Sequence, residues 1–228
     1  EVVGLLYANH WPFRQVETAR PVWRTVLHDR IAARGACFGV VMGWERANWY
    51  APPGVTPKYI YSFARPNWFP YAAEEHRAVR DDVGVFDQSS FAKFLLEGPD
   101  AERTLQRLCA NDVAVPPGRI VYTSMLNARG GMEADLTVTR LAEDCYSIVT
   151  IAAAATRDFD WIRRHLEPGG RAVLTDVSSS YATLGVMGPR SRELLGRLTD
   201  ADLSNAAFPC GTAREIYLGY GMGRAMRL

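Results

Sequence analysis

Apolar and polar positions in this chain alternate at two different periods. In residues 120–126 (IVYTSML) and 132–140 (MEADLTVTR) the period is close to two, with β-branched residues in both runs and an aromatic, Tyr122, in the first, which is the pattern of strands with one face on a core. Asn127, Gly130 and Gly131 lie between the runs and tolerate the positive φ that a tight turn requires. The spacing therefore predicts a β-hairpin over residues 119–140. Leu136 and Val138 fall on one face of its second strand, and Glu133, Asp135 and Thr137 on the other.

Elsewhere the apolar positions fall three and four apart, predicting helices over residues 72–82, 99–109, 156–167 and 189–199. Short apolar runs predict strands over 93–97 and 145–151, with further strands before and after the last helix. Upstream, residues 25–34 read as a short helix stopped by Gly35, and 38–42 as a strand. Helices and hairpins are interspersed, so the fold class is α+β with mixed or antiparallel sheets and packed helices, rather than a doubly wound parallel sheet.

Two segments repeat. GPDAERTLQRL at 98–108 matches GPRSRELLGRL at 188–198, each after an apolar strand and with proline placed at the first helical position. This is a duplicated strand-turn-helix unit. A composition shift at residues 51–70, rich in proline and aromatics, marks the candidate domain boundary, dividing the chain into residues 1–65 and 66–228.

The chain has 228 residues, of which 48% are hydrophobic, enough to build a core. Its net charge of +1, with arginines dispersed among acids, provides no field for nucleic acid or an anionic membrane, and no apolar run is long enough to span a bilayer. The four cysteines, Cys37, Cys109, Cys145 and Cys210, have no zinc-like spacing. They read as reduced thiols in a reducing compartment, and no metal site is expected. There is no P-loop and no G-x-S-x-G, and Gly219-Tyr220-Gly221-Met222-Gly223 has no following helix to make a dinucleotide site. His76 and His165 read as ordinary helix residues. His10, inside the aromatic stretch at 7–13, reads equally as core or as a ligand wall.

The acids Glu133 and Asp135 have two readings. One is the solvent side of an antiparallel sheet; the other is a carboxylate presented to a ligand. Longer segments add to the second. HWPFRQVETARPVWRTVLHDRIAARGACFGVVMGWERANWYAP resembles the central region of the flavin-dependent dimethylglycine and sarcosine dehydrogenases. EEHRAVRDDVGVFDQSSFAKFLLEGPDA, LQRLCANDVAVPPGRIVYTSMLNARGGMEADLTVTRL and GVMGPRSRELL resemble the folate-binding domain that these enzymes share with the aminomethyltransferase (T-protein) of glycine cleavage. The resemblance runs through essentially the whole chain.

That resemblance implies a T-protein-like fold and a reaction. A flavin (FAD) domain of the same polypeptide oxidises an N-methylated glycine derivative to an iminium species, and tetrahydrofolate takes up the methylene carbon as 5,10-methylenetetrahydrofolate. Asp135 falls where the family keeps its essential carboxylate, and Tyr122 where a residue lines the pterin pocket. Phe91 matches a segment that meets the pterin, and Val149 and Thr150 a strand whose backbone approaches the ring. Trp44, Arg46 and Trp49 read as an interdomain packing cluster or as residues facing the flavin domain. Residues 1–65 then correspond to the end of the FAD-dependent region and 66–228 to the first part of the folate domain. The strand-like run at 1–6 reads as the interior of a longer domain, so the chain reads as a fragment with an incomplete fold that does not itself oxidise amines. Its compartment is expected to be the cytoplasm, or the mitochondrial matrix in a eukaryote. A stand-alone T-protein and a non-catalytic folate-binding module are the alternatives.

Overall fold

The computed structural model describes residues 14–228 together with Gly4 and Tyr7. His10 and most of the 1–6 run lie outside the described residues. The chain divides into two compact units, one of residues 1–90 with 182–191, the other of residues 91–181 with 192–228.

The second unit is built on a five-stranded antiparallel sheet in the order β5-β6-β7-β4-β8. Its strands are β4 (Ala92–Glu97), β5 (Ile120–Leu126), β6 (Met132–Ala142), β7 (Cys145–Thr150) and β8 (Val173–Asp176). Phe94, Leu96, Leu136, Val138, Tyr146 and Ile148, none more than 2% exposed, turn to one face. There they meet Leu105 and Leu108 of α3 (Ala101–Leu108) and Ile162 of α4 (Ala155–Arg164) in one core. Phe159 of α4 meets Phe94 edge-on at 5.2 Å, a favoured aromatic geometry. Removing this apolar surface from water is the main stabilising term of the unit. A second hairpin, β10 (Thr212–Leu218) with β11 (Gly221–Arg227), has a small core of Leu203, Phe208 and Ile216. It is joined to the start of β5 through the Ile120 N–H bond to Gly211 O at 2.9 Å.

The first unit contains α1 (His28–Ala32), the hairpin β1 (Ala36–Val41) with β2 (Trp44–Tyr50), α2 (Phe69–Asp81), and β3 (Gly84–Asp87) paired antiparallel with β9 (Leu184–Met187). Its core is Cys37, Trp49 and Ala51, with Tyr59, Trp68 and Tyr71 packed against it. Strand β2 was not expected from the sequence: Glu45 and Arg46 interrupt its apolar pattern, and the Met42-Gly43 turn, with φ of 50° and 86°, is what folds it back on β1. The short strand β3 was likewise unread.

The repeat takes a different form from the one its sequence suggested. Helix α3 starts at Ala101 and α5 (Ser191–Gly196) at Ser191, so Pro99 and Pro189 precede the helices instead of occupying their first positions. Each proline is the second residue of a four-residue turn closed by Ala101 N–H to Gly98 O at 2.9 Å, or Ser191 N–H to Gly188 O at 3.1 Å. Proline's fixed φ suits that position. The preceding glycines have φ of 120° and 122°, a region effectively closed to residues with a Cβ.

Candidate functional site

The hairpin that carries Asp135 is positioned by its own turn. Asn127 Oδ1 accepts the N–H groups of Arg129 at 2.9 Å and Gly131 at 3.0 Å, and Gly130 adopts φ of 77°. Asn127 Nδ2 also donates to Glu133 at 2.7 Å. Glu133 is thereby committed to the turn, which separates the two acids: Glu133 braces the hairpin and Asp135 takes no part in its turn.

Asp135 pairs with Ser124, and Thr137 with Tyr122, across β5 and β6. Thr137 also pairs with Val149 of β7, which pairs with Lys93 of β4. Directly paired residues share a face, so Tyr122, Thr137, Val149 and Lys93 form one transverse row on the face opposite the helices. Ala134, Leu136 and Val138, which alternate with these positions on β6, are buried in the core. Asp135 lies one step along the same face. Ile151, two residues after Val149 in extended backbone, follows the same alternation and is 53% exposed. Phe91, half-buried, leads into β4.

The phenol of Tyr122 stands diagonally across the strand pair from the Asp135 carboxylate. Its interaction with that carboxylate, with slight desolvation, raises the tyrosine above its ordinary pKa, since ionisation would set two negative groups side by side. Both side chains are exposed. Lys93 is only 5% exposed, although on the same face, and its Nζ donates to Phe91 O at 2.9 Å.

Thus Tyr122, Asp135 and Val149 lie together on one face, with Phe91 beside them. Thr150 does not join them. Its side chain points into the opposite layer, 2% exposed, and donates to Asp158 Oδ2 at 2.6 Å; Asp158, fully buried, also accepts Arg157 Nε at 2.9 Å. Only the backbone of Thr150 remains to meet a ligand, because neighbouring strand residues face opposite ways. Lys93 and Ile151 were not picked out from the sequence, and Thr137 only as a residue sharing the face of Asp135. The lysine inside the apolar run FAKFLL was the one available signal.

The aromatic cluster belongs to the first unit. Trp49 is 1% exposed and stacks on Tyr71 at 5.5 Å, and Trp44 meets Trp23 at 5.6 Å. Arg46 lines a cavity of about 280 Å³ with Glu45, Glu75 and Asp87. Both tryptophans thus make ring contacts within the first unit.

Residues 27–228 match the family model described as the GCVT N-terminal domain. The chain is 45% identical over 228 residues to a 4-methylaminobutanoate oxidase (formaldehyde-forming) of Paenarthrobacter nicotinovorans, covering 100% of this chain and 28% of that protein. It is 34% identical to the mitochondrial sarcosine dehydrogenase of Homo sapiens, over 97% of this chain and 28% of the relative. The chain thus spans little more than a quarter of the length of these relatives. Among solved structures, the glycine cleavage aminomethyltransferase T of Bartonella henselae superposes with a TM-score of 0.68 at 25% identity, covering 84% of this chain and 47% of that one. The antiparallel sheet and flanking helices are those of that fold, and by the match over residues 27–228 the chain belongs to the GCVT N-terminal domain family.

Proposed function

We propose that the chain is the folate-dependent one-carbon-transfer portion of a flavin-dependent N-methyl amine dehydrogenase, passing an oxidised methyl carbon to tetrahydrofolate to give 5,10-methylenetetrahydrofolate. The observation that carries this reading is the Tyr122 and Asp135 pair, presented on the helix-free face of a rigid sheet beside Val149 and Ile151. The donor set fits the cofactor: a carboxylate and a phenol for polar ring edges, and a branched apolar floor for a flat heterocycle. Tetrahydrofolate, when bound, supplies the nitrogen nucleophile that takes up the carbon.

Asp135 accepts the proton lost as that nitrogen becomes nucleophilic and stabilises positive charge nearby, which is general base and electrostatic work worth on the order of a hundredfold or more in rate. Tyr122 stands beside the carboxylate across the strand pair. Glu133, held by Asn127, keeps the turn, and so the register of Asp135, in place. In this reading residues 1–65 continue from an FAD-binding region of the same polypeptide and residues 66–228 carry the folate domain. The amine is an N-methylated glycine derivative and the setting is the cytoplasm or a mitochondrial matrix. No helix among the described residues is long and apolar enough to cross a membrane.

A second reading has its own observation. The relative at 45% identity is named as formaldehyde-forming, so the carbon of this chain's amine would be released as formaldehyde, with the folate site unused. The test is oxidation of sarcosine by the complete polypeptide with and without tetrahydrofolate, quantifying both one-carbon products. Methylenetetrahydrofolate appearing in place of formaldehyde, and an Asp135→Asn variant returning the balance to formaldehyde, is the expected result. A formaldehyde yield indifferent to tetrahydrofolate overturns the proposal in favour of the second reading.

A further inference from the structure

Lysine is among the residues least often fully buried, because its ammonium pays heavily for leaving water. Lys93 is nevertheless 5% exposed, and it is so on the face of the sheet away from the helical core. The neighbouring residues on β4, Ala92 and Phe94, are 2% and 0% exposed and belong to that core, so the register sends the lysine the other way. It ends the row that begins at Tyr122 and passes through Thr137 and Val149. Adjacent strands are roughly 5 Å apart, which puts the backbones of Thr137 and Lys93 roughly 10 Å apart, with Val149 between them and Ile151 one step along.

This arrangement has a polarity. At one edge of the apolar floor stand an acceptor, Asp135, and its phenol partner; at the other stands an ammonium, held in place by its bond to Phe91 O at 2.9 Å. A flat heterocycle lying on Val149 and Ile151 would meet an acceptor on one side and a cationic donor on the other. Given the folate reading, on which this inference rests, we propose that Lys93 is a further binding residue of the site, donating to an acceptor atom on the ring of the one-carbon carrier and fixing which way round the ring lies. An ammonium at that edge also disfavours ligands that present a donor there.

The experiment is anaerobic titration of the purified protein with tetrahydrofolate and, separately, with tetrahydropteroate, which has the same ring and no glutamate. Wild type, Lys93→Met and Lys93→Gln are compared, with ligand-free thermal melting recorded for each. Loss of a hydrogen bond to a charged group predicts about tenfold or more weaker binding to Lys93→Met. The loss is expected to be the same for both ligands, with Lys93→Gln, which keeps a neutral donor, falling between. Weakening seen only with the glutamate-bearing ligand would place the lysine on the tail and overturn the ring assignment. Unchanged dissociation constants with a lowered melting temperature would show a purely structural lysine. If Lys93→Met does not fold, Lys93→Gln decides, with unchanged binding overturning the assignment. Failure of the wild type to bind either ligand would instead remove the folate reading itself, and the inference with it.

Discussion

Tyr122 and Asp135 stand on adjacent strands one pair out of step, and the carboxylate raises the phenol above its ordinary pKa. Ionising the tyrosine would set two negative groups side by side, so Tyr122 is expected to ionise above the ordinary tyrosine range, and Asp135→Asn to bring it back down. Ultraviolet titration of wild type, Asp135→Asn and Tyr122→Phe isolates this one tyrosine by difference. Superimposable curves for wild type and Asp135→Asn would mean that the two side chains do not interact in solution.

The matched glycines of the repeat are set by backbone contact. A Cβ on Gly98 would lie 1.9 Å from Arg171 O, and one on Gly188 would lie 2.4 Å from Asp82 O, at φ near 120° in both. Gly98→Ala and Gly188→Ala should each lose at least about 2 kcal/mol in urea unfolding. Gly130→Ala has open space around its Cβ at φ of 77°, so it should cost only about 1 kcal/mol. Equal losses at all three positions would mean that φ alone, and not the close approach of backbone, decides the glycine.

Period-two alternation located the hairpin and the face of Asp135, because one buried face fixes register. Helix α2 and strands β4 and β7 were legible for similar reasons: long or strongly apolar runs with clear stops. What escaped was non-local. Strand β3 is four residues long and exists through its pairing with β9, about a hundred residues away in sequence. The division between Asp135 and Glu133 depended on an asparagine side chain reaching across the turn. The row joining Tyr122 to Lys93 needs the strand order, which alternation within single strands does not contain.

Burial separates the thiols. Cys109 is pushed up to about 12 by desolvation, Cys37 and Cys145 are raised for the same first reason, and Cys210 is exposed. Because the thiolate is the nucleophile, iodoacetamide near pH 8 should label Cys210 first, and Cys109 and the 3%-exposed Cys37 last, as read by peptide mass spectrometry. Early labelling of Cys109 in folded protein would contradict the packing around α3 and β5.

Asp100 ties the turn before α3 to the segment ahead of β8: its Oδ2 accepts the Arg171 N–H at 2.7 Å, and Arg103 lies 3.2 Å from Oδ1. The Arg171 backbone bond first, and then the charges of Arg103 and Arg171, hold the carboxyl below the usual aspartate range. A carboxyl lowered on folding stabilises the protein above its unfolded pKa, and loses that contribution as pH falls through its folded value. Asp100→Asn should therefore melt below wild type at about pH 7, with the gap narrowing toward about pH 3 as the wild-type carboxyl takes up its proton. Melting curves for both proteins at stepped pH check this. A gap that stays constant across the range would assign the effect of the substitution to turn geometry, leaving the charge of Asp100 without a part in stability.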